Sequence, residues 1–365
     1  MTLLSIPDTL NDITPQWLTE AVYSTDTFPN AVVTSLCIEP IAEFTCAGQL
    51  AHLHLSFNQP KSTLPSTLVA KLHAPDEPIR AKTRPFTPDK QEILFYQQLA
   101  SEIVLRIPRC YYSAMNATDG KYVRILEDLA PAKVGDQIKG STAKEAAVAL
   151  RAIASFHAHW WQSEKLEGFD WITGSPTDSD DATAWVLEQY QKAFPIFVDK
   201  TGALLTGAVK AFGEQLPEKL RDKSRFRKPL RTLVHGDFRL ENVFFGASLG
   251  ESGFAVIDWQ DISRGEGVWD VAWFIGGCLQ TTSKRQVEEW NLLKIYHETL
   301  KVNGVNGYTF DACWEDYRLA MLRYFVQAVL MVTSLNPEND RENSLARAVS
   351  ERFIAAITDL RLTEE

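Results

Sequence analysis

No stretch of this chain stays apolar for the ~20 residues that a membrane-crossing helix needs. Polar or charged side chains interrupt every hydrophobic run well before that length, so no membrane association is expected. Cysteine is sparse: Cys37, Cys46, Cys110, Cys278 and Cys313 are scattered, odd in number and without a CxxC pair. That pattern argues against a disulfide framework and against a thiolate zinc site, and it points to a reducing, cytoplasmic compartment. Positive charge is in deficit, with 37 Lys and Arg against 47 Asp and Glu and a net charge of −10. An acidic surface is a poor match for a phosphate backbone, so nucleic acid is not expected as a partner. The opening MTLLSIPDTLNDITP has no basic start and carries Asp8 and Asp12, which argues against a secretory signal. Low-complexity tracts and internal repeats are missing as well.

What remains is a globular composition, 45% apolar and 23% charged, in a chain too long for one ordinary core. Thr14-Pro15 reads as an N-cap and first helical position. The runs AVVTSLCIEPIAE, AHLHLSF and STLVAKL read as strands between Val32 and about Leu72. Thr87-Pro88-Asp89 opens the helix DKQEILFYQQLAS, and the strands RCYYSAM and KYVRILEDL follow, joined by a loop over Asn116–Gly120. Beyond Leu129 the pattern turns helical. Thr142 and Glu145 form a capping box ahead of AAVALRAIASFHAHWW, and helices are expected over about 181–195, 201–216, 268–280, 284–301, 311–334 and 341–360. The exception is 231–259, with the short strands NVFFG and FAVID.

The expected fold is therefore α+β and bilobal. Residues 1–129 form a small antiparallel β-sheet lobe with one helix, and residues 130–365 form a larger, mainly helical lobe. A connector lies near Glu127–Pro131, and two lobes imply a cleft, where ligands are usually held.

Chemistry concentrates in HGDFRLENVFF (His235 to Phe245) and FAVIDWQ (Phe254 to Gln260). Phosphoryl transfer from a nucleotide asks little covalent help of a protein. It needs a base at the acceptor hydroxyl, oxygen ligands for magnesium, and positive charge around the phosphates. Asp237 suits the base. Asn242, five residues on, offers a neutral oxygen, and Asp258 ends the next strand, where a hairpin returns it beside Asn242. Both are hard donors that magnesium accepts while keeping its waters and phosphates. Arg239 suits charge neutralisation on the transferring group.

HGDxxxxN followed by a strand ending in IDWQ resembles the aminoglycoside phosphotransferase and choline kinase superfamily of protein-kinase-like folds. Its wording is most similar to the ecdysteroid-kinase-like and bacterial phosphotransferase branch. The resemblance implies a small-molecule kinase using ATP, with GTP as the alternative nucleotide, and Mg2+, acting on a hydroxylated small molecule as a monomer or homodimer. It implies that Asp237 is the base and Arg239 a catalytic cation, with Asn242 and Asp258 as metal ligands. Lys71 in LVAKL fits the lysine that grips the phosphates, and Glu92 the glutamate paired with it. Glu127-Asp128-Leu129 fits the connector whose backbone meets adenine, so Glu127 and Leu129 are candidate nucleotide contacts. Asp270 in GVWDVAWFI resembles the buried aspartate that holds the catalytic loop. The first hairpin, FTCAGQLAHL, departs from a glycine triplet: only Gly48 is present, and Gly48 and Gln49 take the phosphate-gripping positions. The likeness runs over roughly residues 14–335.

Plainer readings compete at several positions. Asp237 and Asn242 suit turn capping, Lys71 an edge-strand charge, and Glu92 the dipole of a first helical turn. Arg239 suits a surface ion pair. His235 reads as a loop-structuring hydrogen bonder rather than a base. His157 and His159, two apart on a helix, face different ways, and His52 with His54 lacks a third ligand. Trp160, Trp161 and Trp273 read as core before substrate platform. Two other functions stand against the kinase: a catalytically inactive nucleotide-binding regulator, and an aspartate-based phosphohydrolase, for which the N-terminal Asp arrangement is lacking.

Overall fold

The structure, a computed structural model, describes residues 4–23, 31–41, 48–58, 64–77, 88–174, 180–221, 231–334 and 338–364. The chain divides into two compact units: Met1–Pro131 with Val256–Asp261, and Ala132–Ala255 with Ile262–Glu365.

The first unit opens with α1 (Pro15–Leu18), capped by Thr14, whose hydroxyl accepts the Trp17 amide at 3.1 Å. Strands β1 (Val33–Pro40), β2 (Gly48–Phe57) and β3 (Thr67–His73) follow. Then come α2 (Pro88–Leu94), β4 (Cys110–Met115) and β5 (Tyr122–Glu127). The expected cap of α2, Thr87, lies outside the described residues. The five strands form one antiparallel sheet in the order β1-β2-β3-β5-β4. Side chains alternate across a strand. Leu68, Ala70 and Leu72 of β3 and Val123 and Ile125 of β5 thus enter a core with Trp17, Leu18 and Tyr23. Lys71 and Arg124, directly paired across β3 and β5, are left together on the opposite face. The segment 256–261, far along the chain, joins this unit because Trp259 stacks on Phe95 at 4.4 Å and the Val256 amide donates to Arg106 O at 2.9 Å.

The second unit contains β6 (Lys133–Val134), α3 (Ala143–His159), α4 (Asp180–Thr201) and α5 (Gly207–Arg221). Four short strands come next: β7 (Arg231–Val234), β8 (Val243–Phe245), β9 (Phe254–Val256) and β10 (Ser263–Glu266). Helices α6 (Val268–Cys278), α7 (Thr282–Val302), α8 (Phe310–Ser334) and α9 (Asp340–Asp359) complete it. The capping box of α3 is in place: the Glu145 amide donates to Thr142 Oγ1 at 3.2 Å, and the Thr142 amide to Glu145 Oε2 at 2.9 Å. Strands β6, β8 and β9 form one small sheet, and β7 pairs antiparallel with β10 in another. The sequence signals β8 and β9 but not β6, β7 or β10. Helix α6 is buried on nearly every side and crosses behind the loop that follows β7. The whole is a mixed α+β fold with an antiparallel sheet and a larger helical part. Among the described residues no helix is long and apolar enough to cross a membrane.

Candidate active site

In the first unit, Lys71 Nζ donates to Glu92 Oε2 and to Asp258 Oδ1, both at 2.8 Å. Glu92, on α2, is buried and also meets Arg124 Nη2 at 2.9 Å. Arg124 in turn reaches Asp89 through its carbonyl and carboxylate oxygens at 3.2 and 3.3 Å. Two cations facing each other across strands would repel; the glutamate between them removes that cost. Burial disfavours the Lys71 ammonium, but the carboxylates of Asp258 and Glu92 more than reverse this, so its pKa lies above the ordinary lysine value. Asp258 sits at φ 64°, a left-handed conformation that costs a non-glycine residue free energy and often marks a functional position.

In the second unit, the loop between β7 and β8 is gripped from behind. Asp270 on α6 is fully buried and accepts the His235 amide at 2.7 Å and the Gly236 amide at 3.0 Å. His157 Nε2 reaches the same carboxylate at 3.1 Å, and its Nδ1 meets Tyr296 Oη at 3.0 Å. His235 is itself buried, and its Nδ1 accepts the Asp237 amide at 3.3 Å, which makes it a loop brace. The Asp237 carboxylate receives three donors: Trp273 Nε1 on Oδ1, and Arg239 Nε with Asn242 Nδ2 on Oδ2, each at 2.9 Å. Asn242 Nδ2 also donates to Asp237 O at 2.9 Å. Both amide hydrogens of Asn242 are therefore spent on Asp237, and its carbonyl oxygen is the atom left to face a cation. Among the described residues no group of three or more His, Cys, Asp or Glu could hold a metal. A magnesium ion here would have to take most of its ligands from water and phosphate, its usual habit.

Arg239 is clamped between Asp237 and Glu241. Burial works against its charge, yet those two carboxylates raise its pKa above the usual guanidinium value. A phosphate contact would draw it off at least one of them. Glu241 is also held by Arg341 Nη2 from α9 at 2.7 Å.

The remaining candidates fare unevenly. Gln49 does not offer its side chain to a ligand. Its Oε1 accepts the Leu10 amide at 3.2 Å, and its Nε2 donates to Asp8 O and His73 O at 3.1 Å, so it ties the N-terminal segment to the sheet. Gly48 is needed for close packing, since a Cβ there would lie 2.6 Å from Leu72 O; residues 42–47 of that hairpin lie outside the described residues. The Glu127 amide donates to Arg109 O at 2.8 Å, while its carboxylate takes Arg106 Nη2 at 2.5 Å and the Arg109 amide at 2.9 Å. Glu127 thus braces the turn before β4, and its N–H is not free for a base. Leu129, two residues on, is buried. His52 pairs with Asp128 at 3.1 Å and His54 with Glu39 at 3.0 Å, so the two histidines go to separate carboxylates. A cavity of about 410 Å³ between α4 and α5, lined by Tyr190, Phe194, Pro195, Lys210 and Glu214, contains none of these residues.

Several contributors escape a sequence reading. Arg124 is one. Gln137 is another: fully buried, it accepts the Leu240 amide at 3.0 Å and donates to Gly277 O at 2.6 Å. Arg352 supports it by donating to Gln137 O and Gly277 O, both at 2.7 Å. Trp273 does more than fill the core: its indole N–H is spent on Asp237, and its ring stacks with Tyr324 (5.0 Å, 10°) and Phe353 (5.4 Å, 17°), which also stack on each other at 5.9 Å.

Residues 47–304, more than half of the chain, match the sequence model of the ecdysteroid kinase-like family. The chain belongs to that family. No curated protein sequence matches it. Among solved structures it is similar to a candidate aminoglycoside phosphotransferase of Ralstonia eutropha JMP134, with 16% identity, TM-score 0.55, and 95% of this chain and 96% of that one covered. It is also similar to a choline kinase of Cryptosporidium parvum Iowa II, with 10% identity, TM-score 0.54 and coverage of 90% and 89%. An amicoumacin kinase follows at 12% identity, TM-score 0.51 and 87% of each chain. Identities this low speak to the fold alone, which this chain shares with these kinases.

Proposed function

We propose that this ecdysteroid kinase-like protein transfers the γ-phosphoryl group of ATP, or of GTP in its place, to a hydroxyl of a small molecule with the help of magnesium. One observation carries the reading. Within a single loop, Asp237 is fixed by three donors, while Asn242 spends both amide hydrogens on it and keeps an oxygen for a metal. A base and a metal ligand held to each other by hydrogen bonds are what in-line transfer between a hydroxyl and a metal-bound phosphate requires.

In this reading Lys71, steadied by Glu92, meets the phosphates, and Asp258 is the second metal ligand. Magnesium would supply charge neutralisation on the phosphates. Asn242 and Asp258 would hold it, both hard oxygen donors of the right kind. The Leu129 backbone, in the connector, would meet the nucleotide base. Arg239 would turn from Asp237 toward the transferring group. The solved amicoumacin kinase carries AMP-PNP and Ca2+, and a choline kinase and an aminopropanol kinase share the fold, which supports a nucleotide, a divalent cation and a hydroxylated acceptor. The free thiols of Cys37, Cys110, Cys278 and Cys313 suit a reducing, cytoplasmic setting.

The test is to incubate the protein with magnesium-ATP and a metabolite extract and to search by mass spectrometry for compounds that gain one phosphoryl unit. On the acceptor so found, Asp237→Asn should lower turnover by ~10²–10⁴, the usual worth of a positioned base. Magnesium-dependent ATP binding with no product from any acceptor would instead assign the inactive, regulatory function.

A further inference from the structure

Helix α6 meets the loop at three consecutive residues. Asp270 takes the amides of His235 and Gly236, and Trp273, one turn further along the same helix face, gives its indole N–H to Asp237 Oδ1 at 2.9 Å. An ionised carboxylate has about four lone-pair sites, two on each oxygen. On Asp237, Arg239 Nε and Asn242 Nδ2 occupy both sites of Oδ2, and Trp273 occupies one of Oδ1. One site is left, on Oδ1, beside the edge of the indole.

We infer that Trp273 is the positioning residue that selects Oδ1 of Asp237 as the proton-accepting atom and fixes the plane of the carboxylate toward the acceptor hydroxyl. The inference rests on the proposed kinase function, and it deepens that reading by naming the atom and the residue that orients it. The indole is held for this task. Tyr324 from α8 and Phe353 from α9 stack on it, and Trp273 itself is only 5% exposed. Phe353 comes this close because Gly276 and Gly277 face it: a Cβ on Gly276 would lie 2.6 Å from its ring, and one on Gly277 would lie 3.2 Å from both Phe353 and Trp273. A ring locked by two neighbours cannot follow a carboxylate that rotates, so the carboxylate must stay with the ring. Without the N–H donor, Asp237 keeps its two partners on Oδ2 but is free to tilt about them, and the hydroxyl loses its defined target. A misplacement on the scale of an ångström costs up to ~10²-fold in rate.

Trp273→Phe removes the donor while keeping an aromatic ring beside Tyr324 and Phe353. With magnesium-ATP alone, where water is the acceptor, it should lower kcat by ~10- to 100-fold and leave KM for ATP within about twofold. A second measurement needs no activity. In ¹⁵N-indole spectra, the resonance lost in Trp273→Phe belongs to Trp273, and in Asp237→Ala that proton should move upfield and lose its protection from exchange. An indole signal unmoved by Asp237→Ala would overturn the inference, as would wild-type kcat in Trp273→Phe when Asp237→Ala is inactive. Undiminished turnover in Asp237→Ala would overturn the kinase reading itself and the inference with it.

Discussion

Glu92 serves two cations with one carboxylate. Its Oε2 takes both Lys71 at 2.8 Å and Arg124 at 2.9 Å, and Arg124 is fully buried beneath the sheet. Breaking a buried charge network at one member leaves the others uncompensated, which typically costs about 3–5 kcal/mol. Arg124→Met should therefore lower the unfolding free energy by about 3 kcal/mol in urea titrations, while Arg109→Met, at the surface turn before β4, should change it by less than about 1 kcal/mol. Equal effects would mean that the buried pair is not special. Lys71 and Glu92 were legible in the sequence because a lysine inside LVAKL and a glutamate in the next helix match a known spacing. Arg124 was not, because an arginine inside YVRILE looks like any half-exposed strand position until the register sets it opposite Lys71. Gln49 misled for a related reason: nothing local tells that its amide is spent on Asp8 and Leu10, some forty residues away.

At the level of elements, α6 works as a handle for the β7–β8 loop. Asp270→Ala would strip the acceptor from the His235 and Gly236 amides and from His157 Nε2, two buried partners and one part-buried. Each orphaned group costs about 1–3 kcal/mol, so the variant should lose about 3–5 kcal/mol in stability. The amides of residues 235 and 236 should exchange with deuterium far faster than those of β5. If their protection persists, the loop is held by something other than α6. Helix α3 could be read from its capping box, and the strands of the first unit from β-rich runs between turn residues. Strand β10 could not. Ser263-Arg264-Gly265-Glu266 has no apolar alternation, and it is a strand only because β7 lies beside it and Gly265 lets the Trp269 ring approach, to 2.4 Å from where a Cβ would sit. The Asp270 carboxylate was legible by likeness; Gln137 and Arg352, which hold the other end of the same loop, carry no local mark at all.

Across the whole molecule, the two units share one weakness that their composition conceals. Cys110 in the first unit, and Cys278 and Cys313 in the second, are each pushed by burial from 9.0 up to about 12. The fully buried Tyr296 and Tyr317, and the partly buried Tyr96, are also held well above their ordinary value by burial. In the unfolded chain these thiols release their protons near 9.0, while the folded protein keeps them until about 12. The unfolded state then binds fewer protons, so stability falls as pH rises through this window and is fully present below it. Each thiol contributes about 1.4 kcal/mol per pH unit to that loss. The melting temperature should thus be flat between pH 7 and 8 and fall steeply between 9 and 11. Cys278→Ala, which removes one of the three ionisations, should make the fall shallower while lowering stability at pH 7 only modestly. Because the thiols lie in both units, calorimetry at pH 10 should show both losing stability. A melting temperature that holds constant to pH 11 would mean that these thiols ionise in place, and that the second unit's core is not as closed to water as the buried Cys278 and Cys313 require.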